Sequence, residues 1–335
     1  MTSRKNKINL ISNYCSRLWG ALSIFIFVPL YLATFGEVKY SIISVGVSIT
    51  LLIAVLDAGL TPAITRSAAQ GSDYRFFYFV LRKFLTRLCF FFLAILGLTY
   101  LGYTFFGFSG PIDHFTITAI LGSAFTHLFV SIFRGIFYGV EQHAIYNFSS
   151  VLYSLLRSAT PLLTIYISSQ IFVFFIMQTV ISVLFGFYLW NILKSRVSVD
   201  GEWNGYDVIF KKQFSNDKPF MGSMLLITIV ATCISQLDRL IIGWFYGLEV
   251  VGRYVNIVML AQSGSLLLLP VMASVYPKMI SLGLKNNFWN LSLYKYLYVV
   301  LGMNALFTFV MILLFPKIYA TWTQIELPEE FYSVY

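Results

Sequence analysis

The chain has 335 residues, of which 58% are hydrophobic, 18% aromatic and only 11% charged, and its mean hydropathy is +0.78. Soluble domains average about 45–50% apolar and about 25% charged residues, so this composition excludes a soluble enzyme and, because so apolar a chain collapses or inserts, a disordered one. The net charge of +9 would suit an anionic partner, but an excess of Lys and Arg also follows from how helices insert into membranes, so no nucleic-acid partner is read from it.

The apolar runs are long and continuous rather than alternating at a period of two, which specifies an all-α polytopic membrane protein. A spanning helix needs roughly 20 mostly apolar residues, and breaking the sequence at polar, Gly and Pro clusters leaves about nine such stretches. In chain order these are Ile8–Phe35, Tyr40–Thr65, Phe84–Phe106, Phe115–Tyr138, Ile145–Ser168, Ile171–Leu193, Phe220–Tyr246, Val255–Tyr276 and Leu293–Phe315. The first is not a cleavable signal peptide, because its apolar run is too long and no small-residue cleavage site follows. The polar segment from Lys194 to Pro219, with Asp200, Glu202 and Asp207 among its charges, reads as a cytoplasmic linker. It divides the chain into a six-helix N-terminal lobe (1–193), the linker (194–219) and a partial C-terminal lobe (220–335) of three spans. Glu326-Leu327-Pro328-Glu329-Glu330 looks like the approach to a tenth span, so the second lobe reads as truncated.

Alternating the spans from the N-terminus sorts most of the 23 basic residues onto one face. That face receives Arg4, Lys5 and Lys7, the run from Arg66 through Arg87, Arg134, the linker cations and Lys278. The other receives Lys39, Arg253 and Lys317. This asymmetry places the N-terminus in the cytoplasm. A weak repeat supports two halves: the outer turn Phe35-Gly36-Glu37 before the span opened by Tyr40 matches Leu248-Glu249-Val250-Val251-Gly252-Arg253 before the span opened by Tyr254.

Ionisable groups inside spans carry the functional signal, because a charge at the bilayer centre costs roughly 2.5–3.5 kcal/mol on insertion scales and needs compensation. Arg157 lies four residues before Pro161, and a proline lacks the N–H that would bond the carbonyl at i−4, so a cation and a helix break coincide. Irregular backbone at membrane depth belongs where it lines a cavity or is buried in protein. The favoured reading is therefore an internal chamber, and the alternative is an Arg paired with Asp57 or Asp238. Asp238 and Arg239 are adjacent and cannot pair well with each other on a helix. Arg239 reads as an anion contact with Asp238 as its tuner or an ion-coupling carboxylate, or both snorkel to the outer interface. Asp57, with Pro62 after it, reads as a carboxylate beside a bend, or as an ordinary kink. Nearer the cytoplasmic ends stand Arg66 and Arg134.

Cys15, Cys89 and Cys233 have no metal-ligand spacing and read as small core residues without a disulfide framework. His127 and His143 read as packed or interfacial histidines. The Phe-rich runs Phe90-Phe91-Phe92 and Phe172-Val173-Phe174-Phe175 read as lipid-facing. With no nucleotide-binding motif, no metal site and no large cytoplasmic domain, no cofactor is expected and ATP is not the energy source within this chain.

Several motifs resemble a known family. They are Pro29-Leu30-Tyr31-Leu32, Leu56-Asp57-Ala58-Gly59-Leu60 with Arg66, Phe133-Arg134-Gly135-Ile136-Phe137-Tyr138-Gly139 followed by Tyr146-Asn147, and Gln236-Leu237-Asp238-Arg239-Leu240 with Gly252-Arg253-Tyr254 and Pro270. From about Asn13 to Lys278 the chain is similar to the O-antigen flippases, the polysaccharide repeat-unit transporters of the multidrug/oligosaccharidyl-lipid/polysaccharide exporter superfamily. The resemblance implies a bacterial inner-membrane protein that moves an undecaprenyl-diphosphate-linked oligosaccharide to the outer leaflet by alternating access of two lobes, alongside other membrane proteins of polysaccharide assembly. It implies that Arg157 and Arg239 hold the diphosphate, Arg66 and Arg134 attract it at the cytoplasmic mouth, Pro62, Pro161 and Pro270 act as hinges, and Tyr and Trp rings stack on sugars. Two other readings stay open. A polymerase or ligase of the same pathway is disfavoured by the short outer loops, and a drug or metabolite antiporter of the same superfamily by the excess of intramembrane Arg.

Overall fold

The computed structural model describes residues 2–57, 60–69, 74–106, 112–168, 170–195, 206–263 and 291–325. In hydrocarbon every backbone N–H and C=O must be satisfied within the protein, which leaves helices as the way to span for a chain with this pattern. No strand occurs among the described residues. The helices are α1 (Thr2–Ala54), α2 (Leu60–Ala69), α3 (Tyr74–Phe106), α4 (His114–Gly139), α5 (His143–Ala159), α6 (Ile171–Lys194), α7 (Tyr206–Tyr246), α8 (248–263) and α9 (Leu291–Thr323), with 3-10 turns at Val55–Asp57 and Thr160–Tyr166. Among the described residues six helical runs are long and apolar enough to cross a membrane. The chain is an all-α polytopic membrane protein.

The departures from the sequence reading have local causes. The first two predicted spans form one run, α1, interrupted only at Gly36, whose φ of 78° and ψ of 169° suit a residue without Cβ, so the expected outer turn shrinks to one residue. The second span does not continue to Thr65: α-helix gives way to a 3-10 turn at Val55, and Pro62 falls in the first turn of α2, where its missing N–H removes no helical bond. The third span starts ten residues earlier than expected, because Phe76, Phe77, Val80 and Leu81 are buried in the core. Half of the polar linker is helical: Tyr206, Ile209, Phe210 and Phe214 recur at helical spacing, and α7 runs from Tyr206 through Pro219. Of the eighth predicted span, residues 255–263 are helical, and Pro270 lies outside the described residues.

Two compact units are formed, Met1–Gly20 with Thr34–Gly252, and Ala21–Ala33 with Arg253–Tyr335. In the first, Phe77 and Leu81 of α3, Phe133 and Phe137 of α4, Tyr153 of α5 and Leu189 of α6 share one core. Lipid tails are as apolar as these side chains, so helix association here depends on close packing and interhelical hydrogen bonds rather than escape from water. The sequence provides both. A Cβ at Gly139 would collide with Ala68 and the Thr65 carbonyl, and one at Gly135 would stand 2.9 Å from the Thr61 carbonyl oxygen, so α2 and α4 meet along a small-residue stripe. Gly46 gives way to the ring of Phe175. That explains a second correction: Phe174 and Phe175, expected to face lipid, are fully buried, while Phe90 is 70% exposed as expected. Cys15 and Cys89 are exposed and Cys233 half-buried rather than core residues, which costs nothing where the surroundings are hydrocarbon.

Polar contacts tie the start of α1 to the α4–α5 connection. Asn147 donates to Ser12 Oγ (3.1 Å) and Asn13 Oδ1 (2.6 Å), and it accepts from the Tyr138 hydroxyl (2.7 Å). His143 stacks on Tyr138 at 4.5 Å. The turns matched by the repeat also meet, since Gly252 lies against Ser41 and 3.5 Å, measured from a would-be Cβ, from the Glu37 carbonyl oxygen.

The second unit is built around Leu260, Phe315 and Tyr319. Pro29 sits inside α1 and lacks the N–H that would bond the Phe25 carbonyl. The indole Nε1 of Trp322 donates to that oxygen at 3.0 Å, and the two aromatic rings lie 5.5 Å apart.

Candidate functional site

Three helices of the first unit each bring a polar pair at i, i+4 to one place: Ser123 and His127 from α4, Tyr153 and Arg157 from α5, Gln178 and Ser182 from α6. Residues four apart lie on one helix face, so the pairs form two stacked layers. In one layer Arg157 Nη2 donates to Ser123 Oγ at 3.0 Å and to Gln178 Oε1 at 3.4 Å, and Ser123 donates to the same Oε1 at 3.2 Å. In the other, Tyr153 Oη lies 2.8 Å from Ser182 Oγ and 3.2 Å from His127 Nδ1, while Tyr153 stacks on Phe185 at 4.4 Å. Arg157 Nη1 joins the layers at 2.7 Å from His127 Nδ1.

The protons can be assigned from donor chemistry. A guanidinium has no acceptor, so Nδ1 of His127 must be bare and its proton sits on Nε2. Ser182 gives its hydroxyl proton to the Gln178 carbonyl at 2.7 Å, so it accepts from Tyr153. Each partner of Arg157 is thus electrically neutral. Arg stays protonated in proteins, and among the described residues no carboxylate pairs with Arg157. Its Nε is buried with no hydrogen-bond partner. The site therefore holds a full positive charge with its Nε donor unused, near the C-terminal end of α5, just before the helix loosens.

That loosening follows from Pro161. α5 ends at Ala159, and a 3-10 turn over Thr160–Tyr166 carries the buried Pro161 at its second position. Thr160 returns both its backbone N–H and its hydroxyl (2.8 Å) to the Leu156 carbonyl.

The remaining predicted residues are placed individually. Arg239 on α7 is 6% exposed and its Nε also lacks a partner among the described residues. The Asp238 carboxylate accepts the backbone N–H of Arg239 at 2.7 Å. Asp57 is buried at the 3-10 turn and accepts hydroxyl hydrogen bonds of 2.5 Å from Thr61 and from Ser131, latching that turn to α4. Arg66 and Arg134 are exposed. Arg66 lies over the ring of Phe220, 5.7 Å from its centroid. Neither Arg66 nor Arg134 joins the Arg157 cluster.

Sequence reasoning singled out Arg157 but set His127 aside and passed over Ser123, Tyr153, Gln178 and Ser182. The available signal was the i, i+4 polar pair repeated on three successive apolar helices. Among the described residues no group of three or more His, Cys, Asp and Glu side chains comes together to hold a metal.

A family model described as polysaccharide biosynthesis protein matches residues 8–282. No curated protein and no solved structure matches the chain.

Proposed function

The chain belongs to the polysaccharide biosynthesis protein family, and from that premise we propose that it is a flippase, translocating an undecaprenyl-diphosphate-linked O-antigen or other polysaccharide repeat unit across the bacterial inner membrane. The observation that carries this reading is Arg157, a half-buried cation near the end of α5 held by neutral acceptors with its Nε unsatisfied. Burying a charge without a counter-charge is costly, so such a group is retained where an anion visits. A diphosphate is the anionic part of the lipid-linked donor, and the planar guanidinium suits two adjacent phosphates.

In this reading Arg157 and Arg239 contact the diphosphate in transit, and the exposed Arg66 and Arg134 collect it at the cytoplasmic mouth, with the N-terminus on the same side. His127, Ser123 and Gln178 hold the guanidinium in place without neutralising it. Asp57, held by two hydroxyls, serves as a structural latch, and Asp238 orients the start of the Arg239 turn. Two lobes, 1–193 and 220–335 joined by 194–219, alternate access, with flexing at Pro62, Pro161 and Pro270. The missing N–H at Pro161 supports the second of these hinges.

Complementation tests the proposal. A strain lacking its own repeat-unit flippase should regain surface polysaccharide when it carries this protein, and Arg157→Ala should return it to background at equal protein level in the membrane. Unchanged polymer with Arg157→Ala would remove the anion contact from the account. Single repeat units accumulating at the surface would instead assign the protein to polymerisation.

A further inference from the structure

A second feature of the first unit borders the Arg157 cluster, sharing only Ser182 with it. A half-open groove of about 450 Å³ runs between α3, α4 and α6. Its walls are almost wholly apolar, with Leu85, Cys89 and Phe92 on α3 facing Val183, Gly186 and Trp190 on α6. The three hydroxyl groups at its edge are already committed: Thr126 donates to the Gly122 carbonyl at 2.9 Å, Thr179 to Phe175 at 2.9 Å and Ser182 to Gln178 at 2.7 Å. The walls offer little polar surface, so the groove suits hydrocarbon. Gly186 keeps it open: a Cβ there would stand only 3.2 Å from the Phe129 ring.

The ends of the groove differ. Tyr78 of α3 meets Trp190 of α6 with ring centroids 4.8 Å apart, so the low-numbered end of α3 lies beside the high-numbered end of α6. Helix register then places one cation from each helix at that end. Arg82 is three residues before Leu85 on the lining face of α3, and Lys194 is four residues after Trp190 on the lining face of α6. Both are exposed, and among the described residues neither meets an acidic partner. Lys83, by contrast, is turned over the Phe79 ring at 4.8 Å, and Arg87 is off the lining face.

We infer that this groove is a binding site for one anionic phospholipid of the surrounding bilayer, with an acyl chain between α3 and α6 and the headgroup phosphate at Arg82 and Lys194. The volume matches a single long acyl chain and is far too small for a long polyprenyl chain. The paired cations at one mouth select for negative headgroups, since Lys and Arg at a membrane surface attract anionic lipid. Because it is separate from Arg157 and independent of what is transported, the site stands or falls apart from the flippase reading.

Trp190 in the wall reports on the occupant. The test compares quenching of purified protein by phosphatidylglycerol and by phosphatidylcholine, each brominated on its acyl chains, with Trp190→Phe subtracted to isolate the Trp190 signal. Phosphatidylglycerol should quench Trp190 at about tenfold lower mole fraction than phosphatidylcholine. The double variant Arg82→Gln with Lys194→Gln, both exposed and safe for folding, should bring the two curves together. Equal quenching by both lipids in the unaltered protein, or a preference that survives in the double variant, overturns the inference. So does reversal of the phosphatidylglycerol quench by equimolar unbrominated polyprenyl phosphate, which would give the groove to an isoprenoid instead.

Discussion

Proline removes a backbone hydrogen bond from a helix in each of the two compact units, and the outcomes differ. In the second unit Pro29 frees the Phe25 carbonyl, and Trp322 donates to it from across the fold; the surroundings are aromatic and uncharged. In the first unit Pro161 follows Arg157 by four residues, and the break leaves a cation held by neutral side chains with its Nε unused. A proline alone therefore says little about function. The signal is a break beside a charge that the protein does not neutralise. The Pro29 region is closed by the protein's own side chains, whereas the Pro161 region is left incomplete, which supports the binding role proposed for Arg157.

Substitutions can separate the two. The largest effect is expected for Arg157→Gln, which keeps a hydrogen-bonding side chain and removes the charge: surface polysaccharide in the complementation assay should drop to background, with little change in the thermal midpoint of the purified protein. Trp322→Phe should do the reverse. It strands the Phe25 carbonyl and should cost about 1–3 kcal/mol of stability, read by thermal unfolding in detergent, while polymer output stays near normal. If Trp322→Phe also abolishes output at full protein level, the contrast between a structural and a functional break collapses. His127→Gln retains an acceptor for Arg157 and should leave most of the output, whereas His127→Phe, which leaves Nη1 unsatisfied, should lower it severalfold at equal membrane level. The smallest effect is expected at the Asp57 latch. Ser131→Ala removes one interhelical hydrogen bond, worth about 0.6 kcal/mol in a membrane protein, and should show as a slight fall in thermal midpoint with output unchanged.

Hydropathy was enough to find the helices, because in lipid a span must be long, apolar and internally hydrogen-bonded. It located Arg157 and Pro161 for the same reason, since a charge and a proline stand out against such a background. What it missed depends on neighbours rather than on spacing along one helix. Phe174 and Phe175 look like lipid-facing aromatics until Gly46 is placed opposite them. Cys89 looks like core until α3 turns that face to a groove. Ser123, His127, Gln178 and Ser182 are each unremarkable in an apolar helix and become a site only when α4, α5 and α6 are brought together. The link from Trp322 to Phe25 joins residues almost 300 positions apart, and no local pattern announces it beyond Pro29 itself.

The central claim is that the Arg157 guanidinium recognises a diphosphate. The direct measurement is a binding titration of the purified protein with undecaprenyl diphosphate and with the uncharged undecaprenyl alcohol, repeated for Arg157→Gln and Trp322→Phe. The account predicts that the native protein and Trp322→Phe prefer the diphosphate, and that Arg157→Gln weakens diphosphate binding by about 30-fold or more while alcohol binding is unaltered. Diphosphate affinity that is the same in Arg157→Gln as in the native protein would contradict it.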